Sequence, residues 1–210
     1  MIASYNPSQL GDVLILVLNP DVEDQVVESK GAVVKIAAAD GHLLGFNFFN
    51  ASQILPALKG QNGQVTLDAD AVAKLNAVLK DNGFADQLTV DETPKFVVGY
   101  VKSVEDHPKS DHLKITKTEV QDGKTLQIVS GSPNMQADIK VVVAEVGTMM
   151  PSGLIIWPGE LKGVESDGMI CSGRELKIPN APQKPGALIL PNDYQVGTKF
   201  DFAKAQNLFS

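Results

Sequence analysis

Two histidines and an aspartate stand close together in the second half of the chain. His107 and His112 are five residues apart, and Asp111 lies between them. Imidazole and carboxylate groups at short spacing can bind zinc, but a zinc site needs three or four converging ligands. The third histidine of the sequence, His42, lies in the first half of the chain. We therefore expect this segment to be a loop, and we predict no metal site.

Cys171 is the other residue with reactive chemistry, and it is the only cysteine. A single cysteine excludes an internal disulfide and a Cys-rich zinc site. It follows an apolar pair without the sharp turn that presents a nucleophile, so we expect a small buried side chain. The segment Gly123-Lys124-Thr125 resembles the end of a phosphate-binding loop, but Thr118 stands where that loop needs its first glycine. The sequence thus predicts neither an enzyme nor a cofactor.

The charge of the chain is unevenly distributed. The 210 residues carry a formal net charge of −7, and 43% of them are hydrophobic, as is ordinary for a globular protein. Residues 1–91 contain five lysines against eleven acidic residues, whereas residues 92–210 contain 13 basic against 14 acidic residues. This balance excludes a protein that coats nucleic acid by bulk charge, but it leaves room for a local basic surface. It also predicts two domains, residues 1–91 and 92–210.

The N-terminal residues lack the pattern of a secretory signal, because no basic segment precedes an apolar one. The longest early apolar run, Val13 to Leu18, is far shorter than the roughly 20 residues that a membrane-spanning helix needs. We therefore expect a cytoplasmic protein that does not interact with membranes.

Residues 1–91 show the pattern of a small α/β domain. The run from Val13 to Leu18 predicts a buried strand, and Asp40-Gly41 between two apolar runs predicts a hairpin. A helix is predicted from Asp68, as its N-cap, to Asn82. Three aromatic residues of the second hairpin strand are expected in the core, namely Phe46, Phe48 and Phe49.

Residues 92–210 are rich in predicted strands. The main ones cover residues 96–104, 113–120, 125–130 and 140–146, with short segments at 153–157 and 168–171. About five strands in roughly a hundred residues suit a five-stranded Greek-key barrel, the OB-fold. On the second strand, alternation predicts Leu113 and Ile115 facing inward, and His112, Lys114 and Thr116 on the opposite face. The predicted fold class is therefore α+β.

Four sequence blocks occur in order in the second half. They are VEDHPKSDHL at 104–113, IVSGSPN at 128–134, VVVA at 141–144 and GVESDGMICS at 163–172. Together, within residues 96–178, they resemble the tRNA-binding domain of the phenylalanyl-tRNA synthetase β chain, the methionyl-tRNA synthetase C-terminal extension and the endothelial-monocyte-activating cytokine. An acidic α/β domain followed by this barrel is similar to the free-standing YtpR-type tRNA-binding proteins.

The resemblance implies a non-enzymatic protein that recognises folded tRNA by its shape and backbone, since the base edges of A-form RNA are hidden in a narrow groove. By this resemblance, Asn134, Ser166 and Met169 are expected to contact RNA. His112 departs from several relatives, which have lysine or arginine there. Positively charged side chains are candidates for phosphate contacts, and we include the His112 imidazole among them. The candidates are Lys102, Lys109, His112, Lys114, Lys140 and Arg174.

A second interpretation stays open, because a fold alone does not fix a function. Relatives of the same barrel serve as protein-interaction or chaperone-like modules, and the acidic first domain suits a protein partner better than RNA. Relatives also dimerise, so a homodimer is expected as well. The role of the first domain and the identity of the bound RNA are not predicted.

Overall fold

The computed structural model of the chain describes residues 1–209, and these divide into two units. The first unit is Met1–Glu92, and the second begins at Thr93. Each unit has its own core of buried apolar side chains, and each is described by itself.

The first unit is built on one antiparallel sheet of six strands in the order β3-β4-β5-β2-β1-β6. Its strands are β1 (Ile2–Tyr5), β2 (Val13–Val17), β3 (Gln25–Lys30), β4 (Val33–Ala38), β5 (Leu43–Phe49) and β6 (Gly63–Val65). Its helices are α1 (Pro7–Leu10), α2 (Ala51–Ile54), a 3₁₀ turn (Pro56–Leu58) and α3 (Ala69–Asp81).

The predicted helix and hairpin of this unit are confirmed. The Asp68 carboxylate accepts a hydrogen bond from the Ala71 amide at 2.8 Å and so caps α3. The apolar stripe of α3 packs on the sheet, where Phe46 and Phe48 are fully buried. Phe49 is 43% exposed, so its placement in the core was wrong. It is the last residue of β5, where the strand leaves the core.

The second unit contains a five-stranded sheet in the order β15-β10-β7-β8-β9, with β16 also paired to β10. Its strands are β7 (Phe96–Asp106), β8 (Lys114–Glu119), β9 (Thr125–Ser130), β10 (Lys140–Ala144), β11 (Thr148–Met149), β12 (Ile155–Ile156), β13 (Gly159–Leu161), β14 (Val164–Ser166), β15 (Met169–Ile170) and β16 (Ile189–Leu190). A 3₁₀ turn (Gln121–Gly123) joins β8 to β9, and a short helix, α4 (Phe202–Ala205), lies near the C-terminus.

The two outer strands of this sheet approach each other, so the sheet nearly closes into a barrel. The Asp167 amide donates to the Gln127 carbonyl at 2.9 Å, and the Val129 amide donates to Ser166 Oγ at 3.0 Å. These bonds join β9 to the chain between β14 and β15. The strand order and this seam confirm the predicted α+β class and the OB-fold of the second domain.

Apolar residues pack on both faces of the barrel wall. Val97, Val141 and Val143 lie in the cluster that fills the barrel, whereas Val98 and Val142 belong to a second cluster with the C-terminal segment. The second cluster covers the outer face of β7 and β10 with residues that follow the barrel in sequence, including Leu188, Tyr194 and Phe200. Residues after 178 therefore complete the unit.

The predicted orientation of β8 was wrong at residues 115 and 116, whereas Leu113 is buried and His112 is exposed as predicted. Thr116 is fully buried, and its hydroxyl donates to the Ile128 carbonyl at 3.0 Å, whereas Ile115 is only half-buried. The threonine hydroxyl lies 3.0 Å from the hydroxyl of Thr118, which is also fully buried. Because these hydroxyls find partners inside the barrel, threonine can take the inward positions at little cost. The sequence prediction used hydrophobicity alone, and it therefore placed Ile115 inside the barrel and Thr116 outside.

Candidate nucleic-acid interface

The loop between β7 and β8 is held in place by a buried histidine. The His107 ring is 3% exposed, and its Nδ1 accepts a hydrogen bond from the Lys109 amide at 3.0 Å. Nε2 lies 2.9 Å from the Leu161 carbonyl and therefore carries the proton as a donor. This neutral imidazole ties the β7–β8 loop to the β13–β14 hairpin.

His107 and His112 differ in their surroundings. His112 is exposed, and its Nδ1 lies 2.9 Å from Asp111. Among residues 1–209, no group of three or more histidine, cysteine or acidic side chains is placed to hold a metal ion. The hydrogen bond from His112 is the largest cause that lowers the pKa of Asp111 from its ordinary value. The pair thus keeps a negative charge beside the imidazole.

Basic side chains gather where the hairpin meets the loop. Lys162 Nζ donates to Ser110 Oγ at 3.3 Å, and the same hydroxyl lies 3.3 Å from His112 Nδ1. Lys109 Nζ stands 2.9 Å from the place that a Cβ on Gly163 would occupy. We call Lys109, His112, Lys114 and Lys162 the loop–hairpin group.

Lys162 was not among the predicted site residues. It forms the turn of the β13–β14 hairpin with Gly163, and both residues have positive φ, 49° and 88°. A two-residue turn of this kind, with glycine second, is a recognisable hairpin signal. The flanking strands have three residues each, which is why the sequence pattern did not reveal the hairpin.

The second unit contains a small cleft. It has a volume of about 220 Å³, and its wall includes Ser130, Ser132, Met169 and Arg174. Lys114 on β8 is directly paired with Ser130 on β9, so Lys114 and one residue of the cleft wall lie at the same end of these strands. Met169 is half-buried and Arg174 is exposed. The cleft wall thus combines polar, apolar and cationic side chains.

Asn134 and Ser166 position this surface through their side chains. The Asn134 amide donates to the Ala187 carbonyl at 2.9 Å and accepts from the Ala187 amide at 2.8 Å, which fixes the neighbouring Gly186 in the cleft wall. Ser166 is 4% exposed, and its hydroxyl accepts from Val129 and donates to the Gly168 carbonyl at 3.2 Å. Both polar groups are engaged within the protein.

Two of the predicted basic residues have partners at other places. Lys102 on β7 forms an ion pair with Glu119 at 2.9 Å. Lys140 donates to the backbone carbonyls of Asn192 and Tyr194 at 2.7 and 2.6 Å, and thereby holds the loop that follows β16. Of the nine predicted residues, Met169 and Arg174 line the cleft, whereas Lys109, His112 and Lys114 belong to the loop–hairpin group.

The cysteine of the second unit is a core residue. Cys171 is fully buried, and this burial raises the pKa of its thiol far above the ordinary value. Its sulfur lies 3.6 Å from the Met169 carbonyl. The thiol thus behaves as a small core side chain, as the sequence predicts.

Comparisons with known proteins match both units. The family described as "Domain of unknown function (DUF4479)" matches residues 20–91, and the family described as "Putative tRNA binding domain" matches residues 96–199. The chain is 47% identical over 204 residues to "Putative tRNA-binding protein YtpR" of Bacillus subtilis, which covers 96% of this chain and 100% of that protein.

Other relatives share the second unit. The phenylalanine–tRNA ligase beta subunit of Nitratidesulfovibrio vulgaris is 42% identical over 109 residues, which cover 52% of this chain and 13% of that subunit. The corresponding subunit of Neisseria meningitidis serogroup A is 40% identical over 128 residues, which cover 16% of that subunit. Among solved structures, the C-terminal domain of Plasmodium vivax p43 aligns with 51% of this chain at 25% identity and a TM-score of 0.36.

Proposed function

Because this chain belongs to the family of the tRNA-binding protein YtpR, we propose that it binds folded tRNA through the barrel and catalyses no reaction. The observation that carries the proposal is the register of β8 and β9, in which Lys114 of the loop–hairpin group pairs with Ser130 of the cleft wall. Fold alone would not support a function. The charges and the cleft give the proposal a physical basis.

Each part of the surface suits one chemical feature of RNA. The ammonium groups of Lys109, Lys114 and Lys162 can approach phosphates, which position a nucleic acid without reading its sequence. The hydroxyl of Ser132 matches a 2′-hydroxyl as donor and acceptor, whereas Ser130 is buried and its hydroxyl accepts from the Ser132 amide at 3.2 Å. The thioether of Met169 can pack against an unstacked base, as flexible sulfur side chains do at adaptable surfaces.

The charge balance limits the affinity. Residues 92–210 have nearly equal numbers of basic and acidic side chains, and Asp106 and Asp111 stand beside Lys114 and His112. RNA must therefore displace or tolerate these carboxylates. We expect modest binding that weakens steeply as the salt concentration rises.

Fluorescence anisotropy with total tRNA tests the proposal. We expect binding at about 50 mM salt, where phosphate contacts are strongest, and a double variant Lys114→Ala/Lys162→Ala whose salt slope is smaller by about 1.5, since each lost phosphate contact removes about 0.7–0.9. The matched control is Lys74→Ala/Lys80→Ala, which removes the same charge from α3 in the first unit. Absence of binding by the wild type at low salt refutes the proposal.

The control also separates local contacts from total charge. If both double variants lose the same affinity, the lysines act only through net charge, and the proposed surface is wrong. A pulldown that enriches one protein partner or unfolded polypeptides, without tRNA, favours the protein-interaction module that the barrel also suits.

Because tRNA is the proposed partner, we also propose that the protein is located in the cytoplasm. We further propose that it forms a homodimer. Among the described residues, no helix is long and apolar enough to cross a membrane. Fractionation of cells followed by detection of the protein measures the location directly.

A further inference from the structure

The outer strand of the first unit has an unpaired edge. Strand β3 ends the six-stranded sheet and pairs only with β4 within the described sheet. Its residues are exposed on both faces except for the half-buried last one, and Val26 and Val27 are 54% and 60% exposed. The strand contains no proline, unlike many protected edges. The opposite edge strand, β6, has only three residues.

The hairpin geometry shows which backbone groups point away from the sheet. The β3–β4 turn has two residues, with Gly31 first at a φ of 56°, as in a type II′ turn. The closing residues Lys30 and Val33 of such a turn are hydrogen-bonded to each other, and the pattern alternates from there. The bond from the Phe49 amide to the Ala32 carbonyl at 2.8 Å fits the same alternation. The free N–H and C=O groups are therefore those of residues 25, 27 and 29.

These groups can pair with the same groups of a second copy. An antiparallel pair centred on Val27 places it opposite Val27 of the second copy and places Gln25 opposite Ser29 twice. All three positions have outward backbone groups, so the pair would form about six hydrogen bonds. Ile36, which lies beside Val27 on β4, extends the apolar contact on that face.

The charged side chains of residues 24, 28 and 30 favour this register over the two registers shifted by one residue. Centred on Val27, the pair sets Asp24 opposite Lys30 at both ends. A shift of its centre to Val26 sets Asp24 opposite Glu28, and a shift to Glu28 sets the two Glu28 carboxylates against each other. Like charges directly opposite destabilise a strand pair, whereas opposite charges stabilise it. Lys30 Nζ contacts its own Glu28 at 2.8 Å, donates to the Gly83 carbonyl at 3.1 Å and lies 4.6 Å from the centre of the Phe84 ring. Its side chain is still 40% exposed, so Asp24 of the second copy would add a contact or replace one of these partners.

We propose that β3 is a dimerisation edge, through which two copies of this chain join their sheets by antiparallel pairing centred on Val27. The occupant of the edge is thus a second copy, and the two-fold axis passes beside Val27. This interface lies within the first unit, and the proposal does not depend on RNA binding.

Cysteine cross-linking tests the register. Opposed residues of a hydrogen-bonded pair have Cα atoms about 5.5 Å apart, which a disulfide can bridge. We expect Val27→Cys to form a covalent dimer under mild oxidation at least about ten times faster than Leu10→Cys, a control of similar exposure outside β3. The native Cys171 is fully buried and gives little background. Equal cross-linking of the two variants overturns the proposed register.

Sedimentation of the full chain tests the dimer itself. We expect a species of twice 22.4 kDa in the wild type at about 100 µM, and at least a tenfold rise in the dimer dissociation constant for Val27→Lys, which sets two ammonium groups across the axis. Circular dichroism checks that this exposed substitution leaves the fold intact. A monomeric wild type, or a folded Val27→Lys that dimerises as strongly as the wild type, overturns the proposal.

Discussion

Replacement of Ser166 by alanine should loosen the barrel seam without removing an RNA contact. The hydroxyl is the acceptor for the Val129 amide, and both residues are more than 90% buried. Alanine leaves that amide without its acceptor in a place that water does not readily reach. An unsatisfied buried donor costs about 1–3 kcal/mol. At roughly 4 °C per kcal/mol for a unit of this size, the second unit should melt about 4–12 °C lower.

Amide hydrogen exchange measures this effect at the bond itself. If the seam opens locally, exchange of the Val129 amide should accelerate by about 5- to 150-fold, the equivalent of 1–3 kcal/mol. Affinity for tRNA, measured at 10 °C where the variant is folded, should change by less than about twofold, because the hydroxyl faces the seam. Met169→Ala provides the contrast, because it removes a half-buried thioether from the cleft wall. It should weaken tRNA binding and leave hydrogen exchange at the Val129 amide as in the wild type.

The opposite result would refute this reasoning. A Ser166→Ala variant with unchanged exchange at Val129 and a tenfold loss of affinity would mean that the hydroxyl turns out of the seam and contacts RNA. The resemblance of the sequence to tRNA-binding domains suggests this direct role, and the hydrogen bonds of the hydroxyl favour the positioning role.

Three further predictions follow from buried or paired groups. His107→Ala should lower the free energy of unfolding in urea by about 2–4 kcal/mol, because it removes two hydrogen bonds and leaves a cavity. The Asp111 carboxyl, whose pKa the bond from His112 lowers, should titrate by NMR below its ordinary range and return toward it in His112→Ala. A lowered carboxyl pKa stabilises the fold while the group is charged, so the stability difference between these proteins should shrink as the pH falls below about 4. Cys171, whose pKa burial raises, should resist alkylation at pH 8 in the native protein and react fully in guanidinium, as mass spectrometry can show.

The sequence predicted the elements whose signals are local. The Asp68 cap and the apolar stripe identified α3, and the Asp40-Gly41 turn identified the β4–β5 hairpin. The four ordered blocks identified the barrel before its closure was known. The orientation of β8 could not be predicted, because it depends on hydroxyl partners such as Ile128 that come from another strand.

The members of the candidate site were harder to predict than the fold, because each side chain's role depends on partners far along the chain. Asn134 and Ala187 are 53 residues apart, and Lys140 reaches carbonyls that lie 52 and 54 residues further along. A motif shows that such a residue matters, but it does not separate a ligand contact from a bond that shapes the site. Lys162 presents the converse case, since its position depends on a hairpin of three-residue strands.

The hydrogen-bond and ion-pair partners of each lysine also determine whether that lysine is available to contact RNA. An exposed ion pair such as Lys114–Asp106 is worth about 0–1 kcal/mol, so a phosphate can replace the carboxylate at small cost. Lys140 instead makes two short bonds to backbone carbonyls, and moving it would leave those carbonyls without a donor and release a loop. A count of basic residues weighs these two lysines equally. Their partners predict that Lys114→Ala lowers the salt slope of binding, whereas Lys140→Ala mainly lowers stability.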